Sequence, residues 1–369
     1  MAPSPPITLK RLAEATGVHP STVSRALNEK TRHLVAADVA ERILAAAQAL
    51  GYTPNRLAAS LRTGRSRLIG VILPDIANPV FSPILGGIAE VLAAAGYSPV
   101  VADAGDDTSL QTLFVDNLIN HQVDGLILAT VTREDGVVSH CLARGVPVVL
   151  VNRFEQRGRV SAVVSDDAAG MCLAVDHVVA QGHAVIGHVA GPHHLSTGEL
   201  RRSGYGAAMA RHGLAPHVEE AERYAREAGI GPALRLLDTV PGLTAILAAN
   251  DLLALGVYDA LHSRGLSCPG DISVVGHNDM PLVDLVAPPL TTVRISHRDM
   301  GREAARLLLE EIADGADVRR RIVLPPELVT RASTGRPSGG AGRRFVTPLG
   351  GRPDGLPPFR RQKRPGLGD

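Results

Sequence analysis

At 369 residues, with 45% apolar and 20% charged residues, the chain has material for two or three packed domains and too much apolar content to be disordered throughout. No run approaches the ~18 consecutive apolar residues of a membrane span, and the N-terminus lacks a basic segment followed by an apolar one, so the expected compartment is the cytoplasm and no membrane partner is expected. The net charge of +1 conceals an asymmetry: residues 1–65 hold 9 basic against 4 acidic side chains, residues 336–369 hold 8 against 2, and the stretch between them holds 21 against 31. A basic head on an acidic body points to a polyanion at the head alone. Cys141, Cys172 and Cys268 lie far apart without CxxC spacing, which excludes a zinc ribbon and a disulfide framework and leaves three reduced, buried thiols as the expectation.

In chain order, the apolar positions begin with Leu9, Leu12 and Ala13 on one helical face. Val23, Ala26 and Leu27 repeat the same spacing, with Gly17 between the two sets. Two short helices joined at a glycine fit this pattern, a helix-turn-helix. The second would open at Pro20, a residue favoured at the first helical position, and would present Ser21, Ser24, Arg25 and Asn28 outward. A third amphipathic helix is expected from about Ala37 to Leu50, with Val39, Ile43, Leu44, Ala47 and Leu50 inward, closing at Gly51. "YTPNRLAASLRTGRSR", from Tyr52 to Arg67, reads by itself as a basic linker.

From Arg67 onward, Val- and Ile-rich runs alternate with amphipathic segments: 67–74, 98–105, 125–130, 147–152, 184–191, 244–250 and 272–278. Most are continuously apolar, as parallel strands buried on both faces are. The pattern is α/β with parallel sheets, and it is too long for one five- or six-stranded unit. The strands end on polar residues: Asn152, Asn250, Asn278 and Asp279. Capping of the following helices accounts for Asp251 and Asp279 at least as well as ligand contact does. His177, His183, His188, His193 and His194 crowd together in the sequence, but their spacing matches no metal motif, so neither metal nor cofactor is expected.

"ITLKRLAEATGVHPSTVSRALN", followed by "LGYTPNRLAASLRTGRSRLIGVILPDIANPVF", closely resembles the start of the LacI (lactose-repressor) family of bacterial transcription regulators. The resemblance continues through "LVNR", "GHVAG", "STGELRRSGY", "AILAANDLLALG", "ISVVGHNDM" and "PPLTTVRIS", and so covers about residues 7–334. It implies an all-α helix-turn-helix head (1–53), a hinge helix and linker (54–66), and a two-lobed periplasmic-binding-protein-like α/β body (67–334) for effector binding and dimerisation. The chain would cross between lobes near 160–164, 290–294 and 322–326. Residues 335–369, rich in Gly, Pro and Arg without leucine heptads, are expected to form a disordered basic tail rather than a tetramer-forming coil.

By the same resemblance Pro20, Ser21 and Arg25 read bases in the major groove, while Thr8, Thr22, Ser24, Asn28 and Arg32 serve phosphates. Arg suits guanine O6 and N7, and hydroxyls at a helix N-terminus suit phosphate oxygens. A hinge helix over 55–62, with Asn55 and Arg56, would pair with its dimer mate in the minor groove, and Leu61 would wedge between central base pairs. In the body, Val80, Phe81, Asn152, Phe154, Arg201, Asn250 and Asn278 would surround the effector between the lobes, Arg201 holding a hydroxyl or carboxylate. The implied partners are a near-palindromic operator in double-stranded DNA, a second copy of the chain, and a small metabolite.

Four departures from the family pattern are informative. His19 and Ala36 stand where Ser or Thr usually caps a helix, each at an expected cost of about 1 kcal/mol, with Pro20 offsetting part of the first. Asn152 and Asn278 stand where many sugar-responsive relatives carry Asp. Removing two carboxylates favours an anionic or neutral ligand, which places a sugar acid beside a neutral sugar or nucleoside. With no Trp in the chain, any stacking platform must be Phe or Tyr. The expected function is therefore an operator-binding repressor controlled by a metabolite. The alternatives are a corepressor-dependent regulator of the purine-responsive type, or a cytoplasmic enzyme on a two-lobed scaffold. Against the enzyme, no GxSxG, Walker or GxGxxG motif falls at a strand–helix junction, and the Asp166–Asp167 pair has no partnered nucleophile.

Overall fold

The computed structural model describes residues 7–29, 31–52, 64–315 and 319–338. The expected hinge helix, with Asn55, Arg56 and Leu61, and the tail beyond Ser338 lie outside the described residues.

The head consists of α1 (Leu9–Thr16), α2 (Pro20–Leu27) and α3 (Ala37–Ala49), closed around Leu12, Val23, Ala26, Ala40, Ile43 and Ala47. The i, i+3, i+4 repeats place these side chains on one face of each helix, and burial of that face holds helices too short to stand alone. Gly17 ends α1 at φ +64°, a left-handed turn that costs glycine least. Thr8 Oγ1 accepts from the Arg11 N–H at 3.3 Å and caps α1. The expected capping loss at His19 is corrected, because its ring Nδ1 accepts from the Ser21 N–H at 3.2 Å, so an imidazole nitrogen replaces the hydroxyl oxygen. Ala36 gives α3 no side-chain cap. Leu50, expected inward, is 40% exposed because α3 closes one residue before it.

The body contains two six-stranded sheets. In the first lobe the order is β11 (Arg321–Leu324), β5 (Ser161–Ser165), β4 (Val148–Val151), β3 (Gly125–Leu128), β1 (Leu68–Leu73), β2 (Ser98–Asp103), all parallel. In the second it is β12 (Glu327–Val329), β10 (Thr291–Arg294), β9 (Ser273–Asn278), β8 (Ala245–Ala248), β6 (Ile186–Ala190), β7 (His217–Glu220). There β12 runs antiparallel to β10, so the second sheet is parallel except at that edge.

Helices α4 (Phe81–Ala94), α5 (Thr108–Asn120), α6 (Gly136–Ala143) and α11 (His297–Asp314) belong to the first lobe. Helices α7 (Asp167–Ala180), α8 (Ser196–Arg211), α9 (Arg226–Thr239) and α10 (Asp251–Ser263) belong to the second. The chain crosses after β5, after β10 and after β11, and the strands themselves fill the stretches expected as crossings. α4 and α11 approach closely at two glycines: a Cβ on Gly87 would lie 2.1 Å from the Arg298 carbonyl oxygen, and one on Gly301 2.0 Å from that of Ile84.

The ordered body reaches into the segment expected as tail. The Gly335 carbonyl lies 2.8 Å from His183 Nε2, and its N–H donates to Ser273 Oγ at 3.1 Å. Of the expected buried thiols only Cys141 is fully buried; Cys172 and Cys268 are half-buried, and burial pushes the Cys141 and Cys268 thiols up to about 12. Among the described residues no helix is long and apolar enough to cross a membrane.

Candidate functional site

In the head, α2 turns Ser21, Arg25 and Asn28 to solvent and leaves Pro20, Thr22 and Ser24 partly exposed, so the expected base and phosphate groups share one polar face. Arg32 is half-buried, its Nε donating to the Ala26 carbonyl at 2.9 Å, and it braces the C-terminal end of α2 as well as offering its guanidinium outward. Thr8 accepts the Arg11 N–H on its hydroxyl oxygen, and the hydroxyl proton remains a donor.

In the body, the carboxyl ends of the strands of both lobes face a cleft with a cavity of about 320 Å³, the place where open α/β sheets bind ligands. Val80, Phe81, Asn152, Arg201, Asn250 and Asn278 all line it. Phe154 does not. Past the end of β4, Arg153 turns into the cleft and Phe154 away from it, where the Arg321 guanidinium sits 3.3 Å above its ring. Asn152 and Asn278 take left-handed φ values of +67° and +116°, a conformation asparagine tolerates better than most residues. Asn250 Oδ1 accepts from the Leu253 N–H at 2.8 Å and caps α10, while its amide N–H2 is a donor at the cleft wall.

Arg201 is not left without an acid. Asp167, at the start of α7, accepts from its Nε at 2.8 Å, while Nη1 donates to the Ala249 carbonyl at 2.6 Å and Nη2 to Asn278 Oδ1 at 3.1 Å. Burial pushes the Asp167 carboxyl up even with Arg201 beside it. The acids missing at positions 152 and 278 are made up by a different one: a helix N-terminus distant in sequence supplies the counter-charge. Asp75, Asp106 and Glu222, all missed in the sequence, return further carboxylates to the cleft.

Two other lining groups carry chemistry that the sequence did not point to. Arg153 is buried, 3.6 Å from Asp106 Oδ1, and its Nε has no hydrogen-bond partner among the described residues. Burial pulls its pKa down and Asp106 only partly restores it. Tyr224 supplies an aromatic face, its hydroxyl donating to Thr197 Oγ1 at 3.2 Å and the Arg201 guanidinium lying 5.9 Å from its ring. Across the mouth, the Arg133 N–H donates to the His194 carbonyl at 3.0 Å and the Phe154 N–H to Ser196 Oγ at 3.1 Å, so the lobes touch beside the ligand space. Among the described residues no group of three His, Cys, Asp or Glu side chains comes together in a way that would hold a metal.

Residues 8–55 match the family model for bacterial regulatory proteins of the lacI family, and residues 175–334 match that for a periplasmic binding protein-like domain. The HTH-type transcriptional regulator MalR of Streptomyces coelicolor is 35% identical over 91% of this chain and 98% of its own. Among solved structures, the lac repressor dimer bound to operator and the anti-inducer ONPF superposes with a TM-score of 0.81 at 31% identity, covering 90% of this chain and 100% of that one. The CelR–cellobiose complex does so at 0.69 and 29%, covering 89% and 99%. Read with the polar face of α2 and the two-lobed cleft, these matches show that the chain belongs to the LacI family of DNA-binding transcription regulators.

Proposed function

We propose that the chain is a cytoplasmic repressor, without catalytic activity, whose operator affinity is set by a carbohydrate bound between its lobes. The observation that carries this reading is the cleft's composition. Arg153, Arg201 and Arg223 face Asp75, Asp106 and Glu222, with Asn152, Asn250 and Asn278 between them and the Tyr224 ring at the side. Amides and balanced charges offer both donors and acceptors to a ring of hydroxyls, and an aromatic face suits its apolar side. The CelR–cellobiose complex, a relative by fold and sequence, holds a sugar.

The orphaned Nε of buried Arg153 favours a second reading, a sugar acid whose carboxylate takes that N–H. Thermal-shift and calorimetric titration with neutral mono- and disaccharides and with aldonic and uronic acids separates the two. Under the first reading Arg153→Lys weakens all ligands alike; under the second it removes acid binding alone. No response to either class refutes the proposal. Selection of genomic DNA fragments by the purified protein, with and without the ligand, then gives the operator and the sign of the response.

A further inference from the structure

We propose that His19 sets the base preference of α2 by locking the Ser21 hydroxyl as a hydrogen-bond acceptor. The inference rests on α2 being the helix that enters the major groove. A backbone N–H only donates. Because Ser21 N lies 3.2 Å from His19 Nδ1, that nitrogen presents its lone pair, and the neutral ring carries its proton on Nε2. Ser21 Oγ lies 2.8 Å from the same Nδ1. Between two heavy atoms so close, one must supply a proton, and the ring nitrogen has none. The Ser21 hydroxyl therefore donates to Nδ1.

What Ser21 then shows to solvent is oxygen lone pairs. The residue is exposed on the outward face of α2, one position inside its start. A free serine hydroxyl takes either a donor or an acceptor on a base edge and discriminates poorly. Locked as it is here, it takes only a donor. In the major groove the donors are the N6 amine of adenine and the N4 amine of cytosine, whereas guanine and thymine present only acceptors. Ser21 accordingly selects an amino base, A or C, over a keto base, G or T, on the strand it faces. The imidazole thus does two jobs with one lone pair: it caps the helix and removes the ambiguity of its neighbour.

The test is selection from random double-stranded DNA by the full-length protein, followed by sequencing. Ser21→Ala marks the base pair Ser21 reads, as the position that becomes degenerate in each half-site. At that position the wild type is expected to favour A or C about tenfold, within the range one mismatched pair costs. His19→Gly, which keeps a tolerable cap but no acceptor, should reduce the preference to about twofold. His19→Asp, whose carboxylate accepts and never donates, should restore it even if added negative charge lowers overall affinity. Because each preference is a ratio measured on one variant, a weakened cap cancels from it. A keto base at that position, or a preference unchanged in His19→Gly, overturns the lock. A wild type that selects no site, or a Ser21→Ala profile identical to the wild type's, overturns instead the placement of α2 on which it rests, and the lock with it.

Discussion

Replacing Arg201 by Met should cost the body about 3–5 kcal/mol of stability, because it strands a buried carboxylate. The side chains of Arg201 and Asp167 are each only 3% exposed, and two guanidinium nitrogens lie 2.8 Å from the same carboxylate oxygen. With charge centres about 4 Å apart and an effective dielectric constant near 20, the lost attraction is about 4 kcal/mol. At about 2–4 °C per kcal/mol for a domain of this size, the melting temperature should fall by roughly 10 °C.

The pH dependence has a definite sign. Burial already pushes the Asp167 carboxyl up, and without Arg201 nothing in the pair opposes it. A folded pKa raised above the unfolded value gives stability that is present at low pH and lost as pH rises through the folded value. The deficit of Arg201→Met should therefore shrink near about pH 5 and grow toward about pH 8. Adding Asp167→Leu should recover most of it, since removing both members of a buried pair is often close to neutral. Circular-dichroism melts of the wild type, both single variants and the double variant at the two pH values check this. A single variant melting with the wild type at about pH 8, or a double variant no better than the single, would refute the reasoning.

Three further perturbations follow from the same geometry. Burial pushes Asp251 up to about 7, so its contribution to stability is present below about 3.8 and is lost by about 7, a change of roughly 4 kcal/mol. In denaturant titrations Asp251→Asn should gain stability relative to the wild type across that window, and a constant difference would count against the assignment. Leu282 and Leu285 are 68% and 75% exposed beside the cleft end of β9, an apolar patch that a second copy is expected to bury. The double change Leu282→Asp, Leu285→Asp should shift sedimentation from dimer to monomer, and an intact dimer would place the interface elsewhere. Ala36→Ser supplies the missing oxygen at the start of α3 and should stabilise the head by about 1 kcal/mol, read from amide exchange of head residues; a loss would mean that the turn rejects a cap.

What the sequence disclosed and what it hid divide along physical lines. Strands buried on both faces, such as β1, announce themselves by continuous apolar runs. β7, with the sequence His-Val-Glu-Glu at a sheet edge, does not, and the short strands β5, β10 and β11 looked like connections because each ends at a lobe crossing. Asn152, Asn250 and Asn278 were legible because strand ends point at the cleft by construction of the fold, whereas Arg201, inside helix α8, was legible only through the family resemblance. Asp167 was not, because its partner lies on another helix 34 positions away and no spacing rule joins them. Arg153 and Phe154 were not separable, because β4 ends at Val151 and Asn152 turns left-handed, so no alternation rule says which of the two enters the cleft. At His19 the difficulty was chemical. An imidazole has no capping oxygen, yet its unprotonated nitrogen accepts a backbone N–H in the same way.

The way the chain leaves the first lobe constrains how a ligand can act on the head. Asp124, just before β3, accepts from the Ser66 N–H at 2.8 Å, the Ser66 hydroxyl at 3.0 Å and the Arg67 N–H at 3.2 Å. Arg67 holds a left-handed φ of +61°, with its Nη1 on the Ala95 carbonyl at 3.1 Å and its guanidinium 5.2 Å from the Tyr97 ring. Arg65 Nη2 donates to the Ile312 carbonyl near the end of α11, whose 18 residues span about 27 Å from the lobe crossing behind β10. α11 is wedged against α4 at Gly87 and Gly301, and α4 begins at Phe81 in the cleft wall. A linker fastened at this many points to one rigid lobe follows that lobe as a single piece. Signal transfer needs an element with two arrangements. If the fastened first lobe moves as one piece, a ligand is expected to reach the head by changing how the lobes close at the crossings after β5, β10 and β11 rather than by deforming the lobe that carries the linker.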